Sequence, residues 1–152
     1  MEIKIREASA YDLSTLLSLY GQLGMDDGAV LTLDEALDIF VRMNAYPDYR
    51  LYVSVAEGII VGSFALLIMN NLAHRGAPSG ILEDVIVREG WRGKGIGKKM
   101  MAFAMERCAE KGCYKLALSS NLQRESAHAF YRSLGFRQHG YSFVVALTGM
   151  RQ

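Results

Sequence analysis

Apolar and polar residues follow two different periods along the chain, and these periods predict its first strand and first helices. Glu2–Ala8 alternates apolar and charged residues, which is typical of a half-buried strand. Leu13–Tyr20 carries its apolar residues on one helical face. Thr32–Ala45 predicts a second helix, because Thr32 and Glu35 have the spacing of a capping box.

The rest of the pattern predicts further strands and two further helices. Two β-rich runs, Arg50–Gly58 and Ile59–Met69, predict an antiparallel hairpin that turns at Gly58. After them we expect, in order, a strand at Ile81–Val87, a helix from about Gly95 to Lys111, a strand at Tyr114–Ser120, a helix at Arg124–Leu134 and a hairpin-like pair of strands in Phe136–Leu147. This order predicts a mixed α/β arrangement around one sheet.

The length and charge of the chain limit the number of domains and the kinds of partner to be expected. A chain of 152 residues suits one domain, and we expect a single domain over residues 1–152. The net charge of +1 does not indicate a nucleic-acid or membrane partner. The apolar runs are shorter than the roughly 20 residues that span a bilayer, and the N-terminus lacks a signal-peptide pattern, so we expect a cytoplasmic protein. The cysteines and histidines do not have metal-ligand spacing, and no metal site is predicted.

A glycine-rich turn follows the strand at Ile81–Val87. Three alternate glycines stand among four cations: Arg92, Gly93, Lys94, Gly95, Gly97, Lys98 and Lys99. Cations at a helix N-terminus oppose the helix dipole and cost about 0.3–1 kcal/mol each. A bound polyanion would remove this cost, because the backbone N–H groups of such a turn converge on phosphate oxygens and glycine has no Cβ to obstruct them. We therefore predict a local polyanion site.

The spacing of the glycines narrows the choice of polyanion. The nucleotide-triphosphate pattern GxxxxGK[ST] fails, because Arg92 replaces its first glycine and Lys99 replaces its Ser or Thr. The dinucleotide pattern GxGxxG fails, because its third glycine would fall at Lys98 or Met100. The pattern R-x-x-G-x-G fits Arg92–Gly97. A glycine-loosened turn with solvated lysines is the alternative.

Two motifs together resemble the GCN5-related N-acetyltransferase (GNAT) superfamily. The first is R-x-x-G-x-G at Arg92–Gly97. The second is Ser119–Phe136, in which a strand ends near an Asn and a helix carries A-x-x-F-Y-x-x-x-G-F. The resemblance implies an α/β (α+β) GNAT fold, with a mixed central β-sheet of about seven strands flanked by about four helices. It also implies acetyl-coenzyme A as the cosubstrate.

The resemblance also assigns the residues that would hold acetyl-coenzyme A. The main chain of the strand would pair with the pantetheine arm, and the glycine turn would bind the pyrophosphate. The implied cofactor-binding residues are Val85, Ile86, Val87, Arg92, Gly93, Lys94, Gly95, Ile96, Gly97, Lys98, Asn121 and Tyr131. For Asn121 the alternative is a helix-start role before Arg124.

The chemistry implied by the resemblance is the direct attack of a primary amine on the thioester in a ternary complex. A backbone N–H near Val85 would polarise the carbonyl. Tyr131 would protonate the leaving thiolate, and a core aromatic is the alternative reading of this residue. Glu83 would act as the base or amine anchor, whereas Asp84 would be a structural carboxylate bonded to backbone or helix. We expect these adjacent carboxylates to be buried in their strand and to point to opposite faces of the sheet.

The acceptor is predicted only as a class. The sequence is similar to diamine and polyamine N-acetyltransferases and to aminoalkylphosphonate N-acetyltransferases, which implies the primary amine of a small molecule. The alternatives are a protein N-terminal or lysine acetyltransferase and a non-catalytic acetyl-coenzyme A-binding module. A nucleic-acid partner is not expected, because the cations are confined to one turn. Pairing through terminal strands in relatives suggests a homodimer through Gly140–Leu147.

Overall fold

The strands form one sheet in the order β1-β2-β3-β4-β5 in this computed structural model, which describes residues 1–120 and 124–147. The strands are β1 (Ile3–Glu7), β2 (Tyr49–Ala56), β3 (Ile59–Met69), β4 (Ser79–Val87) and β5 (Lys115–Leu118). The helices are α1 (Leu13–Gln22), α2 (Leu33–Asn44), α3 (Ile96–Glu110) and α4 (Glu125–Ser133). Neighbours from β1 to β4 are antiparallel and β5 is parallel to β4, so the sheet is mixed.

Local signals place two elements where the sequence predicts them. Glu57 and Gly58 have φ values of 53° and 73°, and this pair of positive values suits the type I′ turn of a two-residue hairpin loop between β2 and β3. The capping box of α2 is also confirmed. The Glu35 N–H donates to Thr32 Oγ1 at 3.2 Å, and the Thr32 N–H donates to Glu35 Oε1 at 3.1 Å.

Different helices cover the two faces of the sheet. On the face called the α1–α2 face below, residues of the strands and of these two helices form the main core. Its buried members are Leu13, Leu16, Ala36, Phe40, Leu51, Val53, Ile60 and Ala65. On the opposite face, the Tyr52 ring lies 5.0 Å from the ring of Phe103 in α3. Gly80 lets α3 approach β4, because a Cβ there would collide with Cys108 Sγ.

The chain divides into two compact units after Leu118. The N-terminal unit, Met1–Leu118, contains β1 to β5 and α1 to α3. The C-terminal unit begins at Ser119 and contains α4. The single domain expected over residues 1–152 stays a prediction. Across the described parts of the chain, no helix has both the length and the apolar character that crossing a membrane requires.

The predicted count of about seven strands is wrong, because the described residues form five. The missing pair is the hairpin expected in Phe136–Leu147, a segment in which the structure has no strand. The apolar side chains of its second half, Tyr141–Leu147, are exposed, and Phe143 and Leu147 are 90% and 86% accessible. An apolar run forms a stable strand only where other strands pair with it, and the described residues supply none for this segment. The predicted count of about four helices is confirmed.

Candidate active site

β4 contains a β-bulge between Glu83 and Ile86. Glu83 pairs with Ala65 of β3, and Ile86 pairs with Ser63. Asp84 and Val85 of β4 therefore stand opposite the single residue Phe64 of β3. Asp84, the first residue of the bulge, has a φ of 52°, in a left-handed region that non-glycine residues rarely occupy. Such an extra residue bends the strand and changes the direction of the neighbouring side chains.

The bulge lies just beyond the point where β4 separates from β5. The parallel register between these strands runs from Ser79–Lys115 to Leu82–Leu118 and ends there. Ile86 and Val87 keep their pairing with β3 on the other side. The edge of Val85–Val87 that faces away from β3 therefore lies outside the β4–β5 ladder. Its main-chain groups are placed to pair with an extended ligand, as in β-strand addition.

The glycine-rich turn leads from this strand edge directly into α3. Gly93 and Gly95 have φ values of 76° and 83°, and Gly95 is the N-cap of the helix. A Cβ at either position would meet open space, so these glycines are needed for the backbone conformation and for access, not for packing. Ile96 is buried and anchors the first turn, which has no acidic residue. Positive backbone dipoles therefore face solvent at this helix end.

The cations of the turn are exposed, as an anion site requires. Among the ion pairs of the described residues, none involves the four cations Arg92, Lys94, Lys98 and Lys99. Lys94 Nζ lies 5.6 Å from the centroid of the Trp91 ring, a cation–π contact that the sequence analysis missed. An aromatic residue next to a basic turn was the available signal. This contact orients one cation at the entrance to α3.

Glu83 and Asp84 are both exposed, which corrects the expectation that the strand buries them. Burial first, then the charge of Asp84 and then that of Glu83 raise the pKa of Tyr49, which packs against the main core. The expectation that the two carboxylates point to opposite faces stays a prediction. The bulge explains their exposure, because the left-handed residue interrupts the alternation of a regular strand. The backbone or helix partner expected for Asp84 is not found among the described residues.

Tyr20 and Ser63 also belong to this region, and the sequence analysis missed their relation to β4. Tyr20 of α1 packs against the main core, and burial raises the pKa of its hydroxyl to about 12, with a further contribution from the Asp84 charge. The buried Ser63 Oγ donates a hydrogen bond to the Tyr52 carbonyl oxygen at 2.8 Å. A tyrosine on an otherwise leucine-rich helix face was the only signal for this pair.

Tyr131 lies in α4 of the C-terminal unit, and its ring is buried. The ring of Phe136 packs edge-on against it at 5.8 Å. Burial raises the pKa of the Tyr131 hydroxyl, and the positive charge of Arg124 opposes this shift. The phenol is therefore neutral and able to donate a proton at ordinary pH. Asn121, the other predicted residue after β5, lies outside the described residues.

A mixed sheet with a bulged β4, a β4–β5 ladder that ends halfway, and a basic glycine turn leading into a helix define an acetyltransferase-type α+β protein. The sequence model of the acetyltransferase (GNAT) family matches residues 19–136. The chain belongs to this family, and the resemblance stated from its two motifs is confirmed.

Named relatives support the same class. The chain is 35% identical to glucosamine 6-phosphate N-acetyltransferase of Trypanosoma brucei brucei over 91% of its own length and 90% of that protein. It is 26% identical to aminoalkylphosphonate N-acetyltransferase of Salmonella typhimurium, over 95% and 91% of the two chains. The solved structure of glucosamine-6-phosphate N-acetyltransferase from Arabidopsis thaliana matches with a TM-score of 0.82 and 27% identity, covering 96% of this chain and 99% of that one. The chain is thus an N-acetyltransferase by family.

Proposed function

We propose that the chain transfers the acetyl group of acetyl-coenzyme A to the primary amine of a small molecule that also carries a phosphate or phosphonate. The observation that carries the proposal is the continuous unit from Val85 to Gly97, which joins a strand edge beyond the β4–β5 ladder to a cation-rich helix N-terminus. The phosphorus-bearing amine is proposed because the names of the trypanosomal and Salmonella relatives share it.

The residues of this unit fit acetyl-coenzyme A. Gly93 and Gly95 leave open space at the helix N-terminus, where backbone N–H groups and nearby cations suit a pyrophosphate. The main chain of Val85–Val87 suits the amides of the pantetheine arm, and Asn121 is proposed as a further contact. When bound, the coenzyme supplies an acetyl thioester, which is activated for attack by an amine. Every other requirement of the reaction falls to side chains and main-chain groups of the protein.

In this proposal, three groups of the chain each carry out one step of the reaction. The N–H of Val85 polarises the thioester carbonyl, so that it stabilises the negative charge that develops on oxygen. Glu83 accepts a proton from the substrate ammonium, directly or through water, and the neutral nitrogen then forms a C–N bond to the acetyl carbon. The C–S bond breaks, and the Tyr131 hydroxyl gives a proton to the departing thiolate. The nitrogen loses its second proton as the amide forms, and this proton restores the Tyr131 hydroxyl, directly or through water.

The proposed function is tested by measuring thiol release from acetyl-coenzyme A with a panel of amines. The panel contains glucosamine 6-phosphate, 2-aminoethylphosphonate, putrescine and an aminoglycoside. Glucosamine serves as the matched control, because it lacks only the phosphate. We expect turnover with a phosphorylated or phosphonate amine and much weaker turnover with glucosamine. Absence of turnover with every amine would contradict the enzyme assignment, and equal turnover of glucosamine would contradict the phosphorus requirement.

The Glu83→Gln variant is expected to reduce turnover by about 100-fold, within the range usual for loss of a general base. The amide keeps the size of the side chain but cannot accept the ammonium proton. Turnover is measured with the best amine of the panel across about pH 6 to 9, the range in which amine substrates of this type change protonation. Glu106→Gln is the control, since Glu106 is also exposed but lies on α3, which covers the opposite face. Wild-type turnover of Glu83→Gln at every pH would remove Glu83 from the mechanism.

A homodimer is proposed through the exposed segment Gly140–Leu147. Its apolar side chains are exposed, and such a segment can pair with an edge strand of a second copy. Sedimentation equilibrium is expected to show twice the chain mass, and Val144→Lys is expected to shift the protein toward the monomer. A wild-type monomer at micromolar concentration would reject the dimer. We also propose a cytoplasmic location, because the free thiols of Cys108 and Cys113 suit a reducing compartment.

A further inference from the structure

The C-terminal end of α3 is closed by a Schellman motif, and the two cysteines of the chain occupy its outer positions. The Cys113 N–H donates to the Cys108 carbonyl oxygen at 2.9 Å, and the Gly112 N–H donates to the Ala109 carbonyl oxygen at 3.1 Å. These are the two hydrogen bonds that define the motif. Gly112 has a φ of 78°, the left-handed conformation that the motif requires at this position.

The motif brings the two cysteines within the range of a disulfide bond. Their N–H···O contact of 2.9 Å leaves the two Cα atoms at most about 6.8 Å apart, because only standard covalent bonds separate each contact atom from its Cα. Disulfide-bonded residues have Cα separations of about 4.4–6.8 Å. The side chains at these two positions of a Schellman motif also commonly touch. The backbone therefore holds Cys108 and Cys113 near the arrangement that a disulfide requires.

The two thiols differ in their access to solvent. Cys108 is buried against β4, on the side of the sheet opposite the α1–α2 face, and its Sγ lies where a Cβ of Gly80 would stand. Burial raises the pKa of the Cys108 thiol to about 12, so this sulfur keeps its proton and is a poor nucleophile. Cys113 is partly exposed and lies in the connection between α3 and β5. A small oxidant can therefore reach Cys113, whereas Cys108 is shielded.

We propose that Cys108 and Cys113 are a reversible oxidation site, in which a hydroperoxide converts the two thiols into an intramolecular disulfide. First, the Cys113 sulfur takes an oxygen atom from hydrogen peroxide and becomes a sulfenic acid, and one water is released. The Cys108 sulfur then forms the S–S bond, and the sulfenic hydroxyl leaves with the Cys108 proton as a second water. The two sulfurs together lose two electrons, which reduce the peroxide. The second step is the slower one, because Cys108 is protonated.

The cysteine pair is distant from the glycine-rich turn. Cys108 and Gly95 lie near the two ends of α3, about 20 Å apart along its axis. The disulfide closes a short loop across the end of α3 and its connection to β5, which restricts the unfolded chain. The inference does not rest on the proposed function, and it is tested without an activity assay.

Peptide mapping of the folded chain after treatment with hydrogen peroxide tests the inference. Once the peroxide is removed, the chain is unfolded, its remaining thiols are alkylated, and it is digested with trypsin. Cleavage after Arg107, Lys111 and Lys115 places the two cysteines in separate peptides, 108–111 and 112–115. We expect these peptides to be joined, with a mass about 2 Da below their sum, and to separate with a dithiol reductant. Recovery of both cysteines as alkylated thiols, or of Cys113 as sulfinic acid, would overturn the inference.

Cys113→Ser is the matched control. The variant removes the partly exposed thiol and keeps Cys108 with its packing against Gly80. We expect Cys108 of this variant to stay reduced under the same treatment, because its thiol is buried and protonated. Oxidation of Cys108 in the variant at the wild-type rate would show that the reaction does not begin at Cys113, and it would contradict the proposed steps.

Thermal unfolding of the reduced and oxidised wild-type chain is the second measurement. If the folded chain accommodates the bond, the disulfide restricts only the unfolded chain, so we expect the Tm of the oxidised form to be about 4–8 °C higher. Peroxide also attacks methionine, and peroxide-treated Cys113→Ser corrects for that effect. After this correction, a lower Tm for the oxidised wild-type chain would show that the bond distorts the end of α3, and it would overturn the inference.

Discussion

The Gly95→Asp variant is expected to lose coenzyme A binding while keeping its fold. Gly95 is the N-cap of α3 with a φ of 83°, and a Cβ there meets open space. Asp is a favoured N-cap residue, tolerates left-handed backbone better than most residues, and places a negative charge where the helix dipole favours one. The same carboxylate would occupy the proposed pyrophosphate position and repel its charges. Stability and ligand affinity should therefore change independently.

The measurement is thermal unfolding with and without coenzyme A. At a ligand concentration about 100 times its Kd, binding stabilises the wild-type chain by about 2.7 kcal/mol. This raises the Tm of a chain of this size by about 5–10 °C. The Gly95→Asp variant is expected to show no shift at the same concentration, since repulsion between close charges in a partly desolvated site weakens binding by about 100-fold or more.

Gly112→Asp is the matched control for this prediction. Gly112 follows α3 at its other end, has a φ of 78°, and a Cβ there also meets open space. It therefore imposes the same backbone strain and the same added charge, at a distance from the proposed site. We expect the control to keep the full coenzyme-dependent shift. Equal shifts for Gly95→Asp and wild type would place the coenzyme elsewhere and would leave the glycine turn as an ordinary solvated loop.

Replacement of Tyr131 with Phe is expected to reduce turnover by a factor of about ten or more, while the KM for acetyl-coenzyme A changes little. Phe keeps the ring that packs against Phe136, so the buried surroundings persist. It removes the hydroxyl that is proposed to protonate the leaving thiolate. Because burial raises the pKa of Tyr131, the wild-type phenol keeps its proton even above its usual value near 10. The loss should therefore be similar at every pH from about 6 to 9.

The assay is steady-state turnover with the best amine, together with thermal unfolding of each variant. Tyr11→Phe is the control, because Tyr11 is 96% exposed and has no proposed role in the reaction or in the homodimer. Its turnover should equal that of wild type. If Tyr131→Phe also turned over at the wild-type rate, the hydroxyl would not be the proton donor, and Tyr131 would be a core aromatic residue.

Residues close together in the chain carried most of the successful predictions. The capping box of α2 joins residues three positions apart, Thr32 and Glu35. The hairpin turn depends on two adjacent residues, and the glycine turn combines a strand end, three glycines and a helix start within one short segment. Local interactions of this kind act in almost any tertiary context. For this reason the family resemblance, which rests on two such motifs, could be recognised before the fold was known.

The predictions that failed depended on partners distant in sequence. Glu83 and Asp84 would alternate in a regular strand, but the register with β3 inserts a bulge and exposes both. The apolar residues of Phe136–Leu147 resemble strands by composition, yet pairing decides strand formation and the described residues supply no partner. No local pattern indicates either result.

The sequence by itself determined the family, the order of most elements and the chemical character of the turn before α3, because each is set by residues within a few positions of one another. Only the tertiary structure showed that β4 separates from β5 beyond Leu82, that a bulge lies between Glu83 and Ile86, and that Glu83 and Asp84 are exposed. These relations join β3, β4 and β5 across long stretches of chain. They depend on strand register and helix packing, which are properties of the folded chain as a whole.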